Sequence, residues 1–563
     1  MRDWVIRNVL LLDGTGVAAR RADVSVQGGR IAEVCSPGSA GAASHSVDAS
    51  GLALMPGIID NHTHYDAQIT WDPWCSPSPE LGVTTAVIGN CGFTIAPCRQ
   101  SDREQIMRNL TQVEGMSLDV LRAGIDWQFE TVSDYLGFIE RRGTVPNIAA
   151  FVGHSSIRTY VMGEAASDRA ASDDEIDQMC ELLRRGLRDG AVGFATSTSP
   201  AHNGEGGLPM PSRLADDGEL SRLVSVLGEM ATGVFMLTKG GHTKVDFLES
   251  LAAQSGRPVI VAALLHNSTN PNAVFADLDA IEAAKHRGRQ MLGAVSACPL
   301  TNDFTLHSPY PVEGLNSWRP LLALKGEAFV RELRSASRRE AIRAELASPA
   351  VFRLFNGEWD KVHVVEVRRS VNRLYEHRDV ASLAAEAGVD PLDFMLDLAI
   401  SEDLDTVFSA VLLNSDEQAV ARLLRHPASL VSLSDAGAHL TFFNDAGFGL
   451  HLLGHWVRDK GVLSLSEAVH KLTDEPARLF GFSGRGRIAP GFQADLLLFD
   501  PARVGREAKR RVRDLPAGGA RLITPPRGVH GVWVNGVRVI GEGGERLDLG
   551  QASRLPGALL RGR

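Results

Sequence analysis

The chain has 563 residues, 44% of them hydrophobic and 22% charged, with a formal net charge of −10 and an isoelectric point near 6.0. That length calls for one large domain with an appendage, or for several domains. The acidic balance argues against nucleic-acid binding as the main task. No run of about eighteen apolar residues occurs, so no membrane-spanning helix is expected. The opening MRDWVIRNVLLLDGTG does not read as a secretory signal, because its apolar run is short, carries Asn8 and ends in the Asp13-Gly14 turn. Six scattered cysteines without a CxxC pair fit reduced thiols and a cytoplasmic location.

Residues 4–12 and 22–34 read as short strands punctuated by Asp13-Gly14 and Gly28-Gly29, and 47–54 continues in that style. From about 57 to 482, apolar strand-like runs alternate with longer helix-like stretches. The strand-like runs are 52–59, 84–88, 147–152, 191–195, 233–237, 258–265, 290–295, 362–366, 406–412 and 429–433. Helical patterns occupy 173–188, 217–231, 273–286, 383–387 with 391–399, and 415–424. A β/α alternation repeated about eight times implies a parallel sheet, and closing it gives an α/β fold with a (β/α)8 TIM-like barrel. Residues 299–355 break the rhythm and read as an insertion over the barrel mouth, a place for a lid or a specificity wall. After 482 the strand-rich style of the N-terminus returns. The expected organisation is a small β-sandwich built from both termini, residues 1–55 and 483–563, around a barrel at 56–482. The tail after Arg546 has little to bury and is expected to be loosely ordered. The cluster Lys509-Arg510-Arg511 is short and reads as a solvated face.

In such a barrel, side chains just past the C-terminal end of each strand converge on one site. The first strand ends in His62-Thr63-His64, whose i, i+2 spacing in an extended segment aims both imidazoles at one point. The second supplies Asn90 and Cys91, and the third His154. The fourth offers residues 196–199, the fifth Thr238 and Lys239, the sixth His266, and the last Asp435 with His439 close behind. Taken singly, each histidine is more often structural than a ligand. Several at matching strand ends, with a thiol and a carboxylate, make a competent set for Zn2+ or a similar ion. A bland alternative holds for Asp435, since SDAG suits any turn.

PGIIDNHTHYD, GVTTAVIGNCGFTIAP, FVGHSSIR, DGAVGFATST, LVSLSDAGAH and LTDEPARLFGFSGRGRIAPGFQADLLLFD occur in that order. Together they resemble segments of the amidohydrolase superfamily, and within it of the N-acyl-D-amino-acid deacylases. The likeness covers nearly the whole chain, including the split terminal domain. It implies a zinc-dependent amide hydrolase. Carried over by position, His62, His64, Cys91 and His266 are similar to metal ligands, and Asp435 to the catalytic acid/base that also approaches the metal. His154, Lys239 and His202 are the substrate-binding candidates.

Two departures stand out. The D-aminoacylases of that family place a metal-binding histidine at the end of the fifth strand, where this chain has Leu237-Thr238-Lys239-Gly240-Gly241. Three readings follow: a single metal with fewer ligands, a carboxylated Lys239 as a ligand, or a cationic Lys239 that binds a substrate carboxylate. One or two zinc ions fit, with one favoured. The fourth strand lacks the family's tyrosine, and His202 lies near that place. The expected reaction is hydrolysis of a small-molecule amide by metal-activated water, first of all deacylation of an N-acyl-D-amino acid. Hydrolysis of a cyclic or natural-product amide is the alternative within the class. A catalytically lapsed barrel acting as a binding protein is the alternative outside it. Neither nucleic acid nor membrane is an expected partner, and a homo-oligomer is allowed.

Overall fold

The computed structural model describes residues 2–113, 115–350, 353–439, 441–550 and 554–562. Eight parallel strand segments carry the site: β1 (Ile58–Asp60), β2 (Val83–Ile88), β3 (Asn147–Ala150, resuming as Val152–Gly153), β4 (Gly193–Ser197), β5 (Val234–Thr238), β6 (Val259–Ala262), β7 (Met291–Val295) and β8 (Ser429–Val431). They pair in two runs, β1-β2-β3 and β3-β4-β5-β6-β7-β8, with β3 divided between the two at Phe151. Every residue of β2, β5 and β6 is buried, as expected for parallel strands covered on both faces. The covering helices form for local reasons. The helix Asp173–Arg188 starts at a Ser172–Glu175 capping box and buries Ile176, Met179, Cys180, Leu183 and Leu187 along one stripe.

Strand pairing is not continuous between β8 and β1. The two ends are held instead by a parallel bridge between Thr63 and Ala436, by the His64 N–H donating to Ala436 O at 2.7 Å, and by Asn61 Nδ2 donating to Val431 O at 3.0 Å. The fold is therefore a mixed α/β arrangement of two parallel runs brought edge to edge.

Two expected barrel strands belong elsewhere. Val362–Glu366 and Val407–Leu413 pair antiparallel with each other, and Leu300–Phe304 joins them in a separate three-stranded sheet. This sheet and the helices around it have their own core, with Trp318, Leu333, Met395 and Phe408 inside. The insertion therefore extends from Leu300 to Leu413, well past 355; residues 351 and 352 of the expected stretch lie outside the described residues. The distinguishing signal is alternation: the two runs bury every second residue over most of their length, the mark of a sheet with one solvated face.

Both termini do meet. Strands Arg2–Leu11, Arg20–Gln27, Arg30–Cys35, Ala43–Asp48 and Ala53–Pro56 share one eight-stranded sheet with Leu496–Phe499, Val529–Val534 and Val537–Ile540. The junction is the antiparallel pairing of Ala53–Pro56 with Leu496–Phe499. Two small hairpins, Gly505–Arg506 with Pro526–Arg527 and Arg510–Val512 with Arg521–Ile523, lie outside that sheet. The tail over 554–562 is anchored, contrary to expectation. Ile148 N–H donates to Ala558 O at 2.9 Å, Leu560 N–H to Ile148 O at 2.7 Å, and Gly562 N–H to Gly190 O at 3.0 Å. It thus completes hydrogen bonding along the part of β3 that β4 does not reach. Among the described residues no helix is long and apolar enough to cross a membrane.

Candidate metal centre

The HxH pair follows β1, and Cys91 follows β2. Ligand atoms of His62, His64 and Cys91 all lie within 4.8 Å of one another, and all three residues are buried. Cys91 Sγ is 3.6 Å from His62 Nε2. Zn–N bonds of about 2.0 Å and a Zn–S bond of about 2.3 Å set a tetrahedral edge of about 3.5 Å, so this separation suits a shared ion. Asp435 stands against the two imidazoles, with Oδ1 3.2 Å from His62 Nε2 and 3.5 Å from His64 Nε2. Three convergent N and S donors with a carboxylate beside them match a catalytic zinc site, which keeps one coordination position open.

The local backbone is shaped to present these groups. Cys91 and Asp435 both take positive φ, 56° and 47°, a costly conformation outside glycine that tends to persist at functional sites. Ser434 Oγ donates to His62 O at 3.0 Å and accepts from Ala436 N–H at 3.1 Å, pinning the Asp435 loop to the HxH segment. Gly437, at φ +92°, packs so closely that a Cβ there would meet His64 C and O at 2.7 Å. Asp60 Oδ1 accepts the His62 N–H at 3.3 Å.

Electrostatics favour a neutral His62 imidazole and an ionised Asp435. Burial pushes His62 down to about 4, leaving a lone pair for a metal. Burial opposes the charge of Asp435, yet a hydrogen bond from His64 and the fields of His62, His64 and His439 hold its carboxyl well below the usual range. Burial also raises the Cys91 thiol, against a hydrogen bond from His64. Burial pushes Asp60 up to about 7.

The remaining sequence candidates divide. His202 belongs to the site's surroundings: its Nδ1 is 2.7 Å from Ser197 Oγ, its ring lies edge-on to Phe93, and burial with the fields of His439 and His64 drives it to about 3. His154 does not offer itself to substrate. Its Nδ1 is 2.7 Å from Thr196 Oγ1 and its Nε2 2.7 Å from Glu219 Oε1, and Glu219 also binds Arg158. Both ring nitrogens are thus committed to a buried network. Lys239 Nζ lies 3.0 Å from Asp277 Oδ2, a contact that a carbamate, itself an anion, would not make. His266 is buried but is not gathered into the three-donor cluster. Its backbone N–H donates to Asn414 Oδ1 at 2.8 Å, its ring faces Phe275, and its buried Nδ1 has no hydrogen-bond partner among the described residues.

The hydroxyl of Thr238 lies 3.2 Å from Cys91 Sγ. It lies within Leu237–Gly241, the fifth-strand end at which the resemblance leads one to expect a histidine. Ser434 and Gly437 went unrecognised in the sequence, although SDAG carries the polar-plus-glycine signature of a tight turn. A second grouping, Asp279, Glu282 and His426, is partly exposed. There His426 Nδ1 accepts the Ala428 N–H at 3.2 Å, which places the ring proton on Nε2, facing Asp279 at 3.1 Å. That tautomer makes an ion-pair-like contact and withholds the lone pair a metal needs.

The model of the amidohydrolase family matches residues 46–540. The chain belongs to that family. Among its relatives, the D-aminoacylase of Alcaligenes xylosoxydans xylosoxydans is 28% identical over 545 residues, covering 95% of this chain and 94% of that one. The N-acyl-D-aspartate deacylase of the same organism is 28% identical over 548 residues, covering 95% and 92%. The solved N-acyl-D-glutamate deacylase from Bordetella bronchiseptica, complexed with zinc and a phosphonate mimic of the tetrahedral intermediate, is 25% identical with a TM-score of 0.65 over 100% of this chain and 99% of that one.

Proposed function

We propose that this protein is a zinc-dependent deacylase of N-acyl-D-amino acids. The observation that carries the reading is the buried His62, His64, Cys91 cluster with an ionised Asp435 against its imidazoles. The names of its relatives point to the substrate class. In this reading the two parallel runs close into one (β/α)8 barrel, and the terminal sheet is the small β-domain beside it. Six free cysteines suit a cytoplasmic enzyme.

His62, His64 and Cys91 would hold the ion. When bound, zinc supplies a Lewis acid for the amide carbonyl and lowers the pKa of water to about 7. Asp435 accepts the proton of the attacking water and passes it to the leaving nitrogen. Its low pKa keeps it ready to accept at neutral pH, and the adjacent imidazoles keep its oxygen aimed at the reacting centre. His202, whose Nδ1 is tied to Ser197 Oγ, lines the place where the acyl group would lie. Thr238 fixes the Cys91 thiol from the β5 side. His154 and Glu219 act from behind, through Thr196.

A hydrolysis screen over paired D- and L-N-acyl amino acids and cyclic amides, with zinc supplied, tests the reading. Turnover of the D-isomers with release of the free amino acid is expected. Turnover confined to L-isomers or cyclic amides would overturn the substrate class, and no turnover with one equivalent of zinc bound would overturn the deacylase reading itself.

A further inference from the structure

The hairpin segment 505–523 reaches from the terminal domain to the loop that carries Asp435; Arg510 and Arg511 are exposed, as a solvated face requires, while Arg506 and Lys509 are half-buried. Arg506 Nη1 donates to Asp445 Oδ1 at 2.9 Å, and Asp445 is buried. Arg511 Nη1 donates to Thr441 O at 3.0 Å, and Asn444 Nδ2 donates to Leu522 O. Arg521 Nη1 donates to Ser76 O at 2.8 Å. The segment therefore grips the far end of the loop that begins at Asp435.

Lys509 extends this grip to the insertion. Its Nζ donates to Asp303 Oδ1 at 2.6 Å and lies 3.3 Å from both Thr301 Oγ1 and Ser409 Oγ. These three partners sit on adjacent strands of the insertion sheet. Asp303 in turn donates its own N–H to Phe442 O at 2.9 Å. Phe442 stacks on Tyr310 of the insertion, with ring centroids 6.2 Å apart, and tilts against His439 at 5.3 Å. His439 is one of the groups whose field acts on Asp435. Asp303 is thus a hub. Its carboxylate faces the terminal segment, its amide the Asp435 loop, and its strand the insertion.

We propose that Lys509 is a positioning residue for catalysis. Through Asp303 it locks the insertion sheet and residues 441–445 in one register, fixing the mouth of the site above Asp435. A long, flexible ammonium is strongly stabilising here because the Asp303 side chain is only 4% exposed, and removing its partner leaves a buried charge uncompensated. The insertion then acts as a fixed wall rather than a swinging lid. This inference rests on the deacylase reading for its kinetic consequence, but its structural consequence can be read without any turnover.

The test uses the full-length, zinc-loaded protein and its Lys509→Met, Lys509→Arg and Lys509→Met/Asp303→Asn variants. Amide hydrogen exchange is measured over 301–304 and 441–446, beside zinc content and steady-state kinetics. Lys509→Met is expected to speed exchange in both segments by about tenfold or more. It should also lower kcat/KM by about tenfold with zinc content unchanged, since a small misplacement by a remote mutation is costly. Lys509→Arg should stay within about threefold of the parent, and adding Asp303→Asn to Lys509→Met should recover part of the loss. Unchanged exchange over 441–446 in Lys509→Met overturns the proposal whatever the activity. So does a fall in kcat/KM that merely follows lost zinc. If Lys509→Met does not fold, Asp303→Asn alone carries the same exchange readout. A parent protein without turnover refutes the deacylase reading and leaves the exchange result to decide this one.

Discussion

The strand ends fall into two halves that treat similar side chains differently. At β1, β2 and β8, His62, His64, Cys91 and Asp435 turn toward one point, and the HxH segment is held to the Asp435 loop by the Ser434 hydroxyl and the Ala436 carbonyl. At β5 and β6, Thr238, Lys239 and His266 are equally polar but behave differently: Thr238 touches the Cys91 thiol from outside the donor set, Lys239 pairs with Asp277, and the His266 ring faces Phe275. The difference teaches that a strand-end position is permission to join a site and no more. For Lys239 the Asp277 carboxylate already satisfies the group; the His266 ring lies outside the donor cluster, with its buried Nδ1 unpartnered among the described residues. We propose that the donor-rich half holds one ion.

Substitutions can break this contrast in order of expected effect. Asp435→Asn should lower kcat by about 10²- to 10⁴-fold while zinc content stays near that of the parent, because an amide cannot accept the proton; metal analysis beside kinetics checks this. Cys91→Ala and His62→Ala should cost metal first, with bound zinc falling well below one equivalent and activity falling in step. Gly437→Ala should destabilise the protein by about 1–3 kcal/mol, since φ is +92° and the added Cβ would meet the His64 backbone at 2.7 Å; denaturant unfolding reads that loss, and zinc affinity should weaken with it. In the other half, Lys239→Met should change kcat/KM by less than about threefold. Its Asp277 pair is partly exposed, and such pairs contribute about 1 kcal/mol or less.

Much of the donor-rich half was legible in the residues themselves. Strand geometry explains why His62 and His64 converge, and the order of motifs explains why Cys91 and Asp435 join them. The insertion was harder, because 362–366 and 406–412 are apolar enough to pass for barrel strands. Their half-buried alternation, VHVVE and VFSAVLL, was the cue. Lys239 was misleading for another reason: its partner Asp277 lies on the helix Ala273–His286. Distance along the chain likewise hid the contact of Lys509, whose partner Asp303 lies 206 residues away. Spacing rules see neighbours along the chain, and these contacts are made across it.

The most direct measurement is the zinc stoichiometry of the purified full-length protein after dialysis, compared with its Cys91→Ala and His266→Ala variants. One equivalent in the parent, lost in Cys91→Ala and retained in His266→Ala, is the expected result. Two equivalents in the parent, or loss of zinc in His266→Ala, would contradict a single ion held by His62, His64 and Cys91.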